Sequence, residues 1–96
     1  MFARVSRMQG TPSQLDAGVQ AFRDRTDSVQ KLKGWQGGYV LVDRKSGKML
    51  TMTLWETEAD MKASAAAAAR NLQQGGQAAG AGGAPAVEMY EVAVHI

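Results

Sequence analysis

The sequence predicts one α+β domain of order βαββαβ, a ferredoxin-like four-stranded antiparallel sheet with two helices on one face. Three observations predict it. Segments that alternate apolar and polar residues open the chain, close it, and form a pair in its middle. Two stretches with apolar residues three and four apart separate them. At 96 residues without an internal linker, positions 1–96 make a single unit.

The first strand runs from Phe2 to Met8. Ala3 and Val5 fall on one side; Phe2, Arg4, Ser6 and Met8 fall on the other. Thr11-Pro12-Ser13-Gln14 reads as a helix start, with Thr11 as cap, Pro12 in the first position and Gln14 closing a capping box. Leu15, Val19, Phe22, Val29 and Leu32 then give one apolar stripe on a helix of about five turns. Gly34 is placed to stop it. Tyr39 to Asp43 and Met49 to Trp55 are strands joined by the polar turn Arg44 to Lys48, which contains Gly47, so they form a hairpin. Leu50, Met52 and Leu54 share one face of it, and Thr51, Thr53 and Trp55 the other.

Thr57 opens the second helix, with Glu58 and Asp60 in the first turn, where negative charge is favourable. Met61, Ala65, Ala68 and Leu72 form its stripe. Gln73 to Pro85 is rich in glycine, which costs about 1 kcal/mol per helical position, so a flexible surface connection is expected there. No Lys-Ser/Thr pair follows these glycines, as a phosphate loop would require. Val87 to Ile96 is the last strand, with Tyr90, Val92, Val94 and Ile96 on one face and Met89, Glu91, Ala93 and His95 on the other.

Right-handed crossovers place both helices on the same face. The more apolar set, Ala3, Val5, Leu50, Met52, Leu54 and Tyr90, is expected beneath them. Phe2, Arg4, Met8, Trp55, Glu91 and His95 are expected on the opposite face. That face is too apolar for water and too polar for a core. A second copy of the chain is therefore expected to cover it and leave a partly polar cavity.

Composition narrows the function. The chain has no cysteine, which removes disulfides, thiolate nucleophiles and thiolate metal sites. Secreted domains of this size are more often stapled, so a cytoplasmic location is expected. The net charge is +2, and the charges around Arg23, Asp24, Arg25 and Asp27 alternate in sign. Such a run reads as a solvated helix face and argues against a nucleic-acid partner. No apolar run approaches about 18 residues, so no membrane span is expected. The opening MFARVSRM lacks the apolar core of a signal peptide.

His95 is the only histidine, and only Glu91 shares its face as a carboxylate, so no metal site is expected. No Ser-His-Asp set, carboxylate pair or dinucleotide fingerprint stands out. An enzyme built from these residues would work without a cofactor. His95 is its candidate general base. Arg4 either anchors an anionic or phenolic ligand or pairs with Glu91 across neighbouring strands. Trp55 can stack on a planar ligand, Phe2 lines the same face, and Tyr39 can donate a hydrogen bond. Each of these side chains also has a plain packing role.

Gly34-Trp35-Gln36-Gly37-Gly38-Tyr39, Asp43-Arg44-Lys45-Ser46-Gly47-Lys48 and Leu54-Trp55-Glu56-Thr57-Glu58-Ala59-Asp60-Met61, with the closing Tyr90-Glu91-Val92, resemble the antibiotic-biosynthesis-monooxygenase-like family of dimeric α/β barrels. The resemblance covers nearly the whole chain in order and spacing. It implies a homodimer with a cavity on the non-helical face of each sheet. The family holds cofactor-free oxygenases of polyketide-type phenols, haem-degrading enzymes and members without known activity. It thus implies a cofactor-independent monooxygenase acting on a phenol or hydroquinone, with His95 as base and Arg4 stabilising the phenolate. The alternative is a non-catalytic dimeric module that binds a small apolar ligand. Haem-degrading members use an Asn on the first strand and a Trp and a His near the second helix. Those places here hold Ser6, Ser64 and Gln74, so the resemblance does not extend to haem degradation.

Overall fold

The computed structural model describes residues 1–78, 80 and 85–96, with the backbone alone at 71 and 72. The chain runs through β1 (Phe2–Gln9), a 3-10 turn (Pro12–Gln14), α1 (Leu15–Arg23), α2 (Thr26–Gln30), β2 (Trp35–Asp43), β3 (Lys48–Trp55), α3 (Glu58–Ala63), α4 (Ala65–Ala78) and β4 (Ala86–Glu91). The sheet order is β2-β3-β1-β4 and each neighbouring pair is antiparallel. This is the ferredoxin-like architecture expected from the order of elements.

The two faces of the sheet are the reverse of the expectation. Met8 and Met49 pack with Leu15 and Phe22 of α1 in the core, and Arg4 reaches the α3–α4 junction. Residues directly opposite in an antiparallel pair share a face. The inner face therefore carries Arg4, Ser6, Met8, Thr51, Thr53 and Trp55. Ala3, Val5, Leu50, Met52 and Leu54 lie on the open face, with Tyr39, Leu41 and Tyr90 beside them. Period-two alternation separates the two sets but does not say which one the helices cover. Here the helices cover the more polar set, because part of that layer is a cavity and not core.

The first helical region is broken where one long helix was expected. The Arg25 N–H bonds to Phe22 O, tightening the end of α1 into a 3-10 turn. The hydroxyls of Thr26 and Ser28 donate to the Arg23 and Arg25 carbonyls at 2.8 and 2.9 Å. Such side chains offer the backbone an alternative to the helical ladder. At the start of the region the expected capping box does not form. The Thr11 hydroxyl donates instead to Gln14 Oε1 at 3.0 Å. Thr57 does cap α3, accepting from the Asp60 N–H at 3.1 Å.

Gln73 to Ala78 belongs to α4, not to a flexible connection. Positions 79 and 81–84 of that expected connection, and the Leu72 side chain of the expected stripe, lie outside the described residues. The glycines are used for close approach. A Cβ on Gly75 would stand 2.3 Å from Phe22 Cε2, so only glycine lets α4 rest on the Phe22 ring. Gly75→Ala should gain about 1 kcal/mol of helix propensity and lose about 1–3 kcal/mol to overpacking. A net loss of stability in urea unfolding is expected, and a net gain would refute this packing.

The last strand ends at Glu91, well short of Ile96. Its neighbour β1 begins at Phe2, which faces Glu91. Val92 N–H still reaches Met1 O at 2.9 Å, but no residue of β1 remains for the positions beyond it. The hairpin forms as expected, with β2 starting earlier, at Trp35, through a bulge at Trp35/Gly37. Gly47 closes its turn at φ +80°, where a side chain would be strained. Its N–H bonds to Asp43 O and its carbonyl accepts from the Gly10 N–H, each at 2.9 Å. In the same turn the Lys45 N–H donates to Asp43 Oδ1 at 3.0 Å and holds that carboxyl below its usual range.

Candidate functional site

A cavity of about 410 Å³ lies between the sheet and α1–α2, within the usual range of small-molecule sites. Its helical wall presents the apolar stripe read from sequence, Val19, Phe22, Val29 and Leu32, with Arg23, Arg25, Thr26 and Gln30 beside it. Its sheet wall presents Arg4, Ser6, Thr51, Thr53 and Trp55, and Ser64 closes it at the α3–α4 junction. The cavity is thus on the helical side of the sheet. The expected placement on the non-helical face is corrected for the same reason as the faces themselves.

Arg4 is the central charge. It is only 4% exposed. Its guanidinium donates to Ser64 Oγ at 3.0 Å and to the Met61 carbonyl near the end of α3, which also accepts from Ser64 Oγ at 2.7 Å. A cation near a helix C-terminus is favourable, and this gives Arg4 a local structural role. Those contacts use two of its five N–H donors. Among the described residues no carboxylate pairs with it; the ion pairs are Arg7–Glu88, Arg44–Asp16 and Lys62–Glu58. Burial pushes its pKa down from the ordinary arginine value. An arginine nevertheless stays charged, so the cavity wall carries a cation without a counter-ion.

The aromatic end is built by two tryptophans. Trp35 and Trp55 meet edge to face, with ring centroids 5.5 Å apart and planes at 83°. The Trp55 indole N–H donates to Thr53 Oγ1 at 3.0 Å, which fixes that ring. Trp35 lies across the strand after the bulge. A Cβ on Gly38 would be 2.8 Å from Trp35 Cη2, so glycine makes room for the ring. The Gly34-Trp35-Gln36-Gly37-Gly38 motif thus seats an indole at the cavity.

The sequence candidates separate in space. Arg4 and Trp55 come together at the cavity. Phe2 shares their face, opposite Trp55, and is half-buried. Tyr39 borders the cavity but sits opposite Met52 on the open face, 60% exposed. Glu91 and His95 are exposed and do not border the cavity. Arg4 faces Met89 on β4, whereas Glu91 faces Phe2, so the expected Arg4–Glu91 pair does not form. The β4 ion pair is Arg7–Glu88, at 3.5 Å.

Sequence reasoning gave no ligand role to Trp35, Ser6 or Ser64. Arg23 is exposed, in keeping with the solvated face expected there, and Arg25 is half-buried; both also border the cavity, whereas the alternating Asp24 and Asp27 do not. The signal for Trp35 was its pair of following glycines. For the arginines it was their spacing of two, which the break between α1 and α2 keeps on the cavity side.

Comparison with known proteins gives the family by sequence, and solved structures share the fold. The family model for antibiotic biosynthesis monooxygenases matches residues 1–71. An uncharacterized protein of Mycobacterium tuberculosis is 32% identical over 94 residues, covering 97% of this chain and 41% of its own length. Another from the same organism is 34% identical over 65 residues, covering 67% of this chain and 28% of its own length. The chain therefore spans well under half the length of these relatives. Among solved structures, a monooxygenase of Streptomyces coelicolor in complex with Nanaomycin D superposes with a TM-score of 0.80 at 15% identity, over 99% of this chain and 89% of that one. A haem degrader of M. tuberculosis with two haems in its active site gives 0.76 at 18% identity, over 100% and 99%. A protein of unknown function from Nitrosomonas europaea gives 0.75 at 18% identity, over 99% and 91%. At these identities the likeness is one of fold. No helix among the described residues is long and apolar enough to cross a membrane.

Proposed function

The chain belongs to the antibiotic biosynthesis monooxygenase family, and from that premise we propose that it is a cofactor-independent monooxygenase acting on an electron-rich planar aromatic, a phenol or hydroquinone. The observation that carries this reading is the buried, uncompensated Arg4 in a 410 Å³ cavity that also holds Trp35 and Trp55. A phenol reacts readily with oxygen only after losing its proton. A fixed guanidinium in a low-dielectric wall favours the phenolate and costs no reorganisation when the charge appears. The phenolate passes one electron to dioxygen, and the phenoxyl radical and superoxide combine at the para carbon. The resulting peroxide takes up a proton from solvent, and the hydroperoxide then loses water with the para hydrogen, so phenol and oxygen become quinone and water.

Among the described residues no Asp, Glu, His or Lys borders the cavity, so the proton leaves to solvent through its mouth. His95 is exposed and does not border the cavity, so it is not the base in this scheme. The test is oxygen uptake by metal-free and flavin-free protein across a panel of phenols and hydroquinones. Uptake with equimolar quinone is expected, and no uptake above the blank with any of them overturns the reading.

The same lack of a titratable base favours a second reading, a non-catalytic module that binds a small planar ligand. Binding without turnover in the same panel would establish it. Under both readings we propose a homodimer through the open face of the sheet, where Tyr39, Leu41 and Tyr90 are exposed beside Val5 and Met52. Exposed apolar side chains gathered on one face mark an interaction surface.

A further inference from the structure

We propose that the cavity selects aromatic hydroxy acids, with the carboxylate and the neighbouring hydroxyl both seated on Arg4. The proposal rests on the cavity being the ligand site, as above, but does not depend on turnover. Among the described residues three arginines border the cavity, Arg4 inside and Arg23 and Arg25 towards solvent, and no Asp or Glu does. In a chain with 11 basic and 9 acidic residues, that is a local segregation of charge. Asp24 and Asp27 alternate with the outer arginines along the chain but do not border the cavity.

The inner site is built and not incidental. Arg4 is 4% exposed, its orientation is set by Ser64 Oγ and the Met61 carbonyl, and Ser6 and Thr51 flank it on the same face. The guanidinium is a planar fork that matches the two oxygens of a carboxylate. A phenol is neutral in water near pH 7, so it offers a buried cation little before it ionises. A carboxylate arrives already charged and compensates Arg4 in the bound ground state. An ortho hydroxyl then lies beside the same fork. The apolar wall of Phe22, Val29 and Leu32 and the two indoles receive the ring. Arg23 and Arg25 at the rim attract an anion towards the mouth.

The test is binding under nitrogen, read by quenching of Trp35 and Trp55, the only two tryptophans and both at the cavity. The probes are 1-hydroxy-2-naphthoate, its methyl ester and 1-naphthol. The wild type should bind the acid at least tenfold more tightly than either neutral probe. Equal binding, a preference for a neutral probe, or no binding of any of them at millimolar concentration overturns the proposal. Arg4→Met should reduce the acid's advantage to less than threefold, and Arg4→Lys should keep part of it. An undiminished advantage in Arg4→Met overturns the proposal. If Arg4→Met does not fold, the wild-type comparison and Arg4→Lys still decide it. Failure of the oxygenase reading would appear separately, as binding without oxygen uptake.

Discussion

Arg4→Gln is expected to lower the rate of quinone formation by about 10²–10³, the usual cost of removing one preorganised donor from a developing oxyanion. The fold should tolerate the change. The Met61 carbonyl keeps its bond from Ser64 Oγ at 2.7 Å, and Ser64 Oγ, though it loses the Arg4 donor, is still held by that bond. Removing an unpaired buried cation also relieves a desolvation penalty, which can offset the lost hydrogen bonds. His95→Ala is the paired control. His95 is exposed and does not border the cavity, so that variant should keep its rate. Rates for the two variants, each measured as oxygen uptake alongside the melting temperature, separate these roles. A full rate in Arg4→Gln would remove the phenolate site from the mechanism.

Tyr39→Lys combined with Leu41→Lys should convert a dimer into a monomer. The two side chains are 60% and 49% exposed in the single chain, so its fold has little stake in them. They share the open face with Leu50 and Met52, their partners on β3. In a two-fold dimer each substitution occurs twice, so four ammonium groups would enter one interface. At about 1–3 kcal/mol for each polar group buried without a partner, Kd should rise by more than about 10³. Sedimentation equilibrium at micromolar concentration reads the result directly. The wild type should sediment at twice the 10.2 kDa chain mass and the variant at once. A wild-type monomer would remove the open face as an interface.

The strand and helix order was legible because it rests on local patterns. Thr57 with Asp60, the Gly47 turn and the alternation of β1 and β3 all carry their signal within a few residues. What escaped was set by distant partners. The end of β4 depends on where β1 begins, since Glu91 is opposite Phe2. The passage of α4 through Gly75 depends on the Phe22 ring lying against it. The orientation of the sheet was not legible, because alternation separates two sets of side chains without saying which one the helices cover. Arg4 and Trp55 are legible as candidates because a charged and an indole side chain on one face of a sheet are conspicuous anywhere. His95 was named for its chemistry and for its place on the expected last strand, but that strand ends at Glu91 and His95 does not border the cavity.

The reversed polarity of the sheet also changes how substitutions in this chain should be interpreted. In most domains, tolerance to polar replacement rises steadily with exposure. Here Ser6, Thr51 and Ser64 are already polar and almost wholly buried, while Leu41 and Tyr39 are apolar and exposed. A saturation scan selected only for folding would find the outward positions permissive. The same scan selected for activity, if activity needs the paired form, would find them among the strictest. The difference between the two scans, position by position, would outline the interface without a structure of the assembled protein.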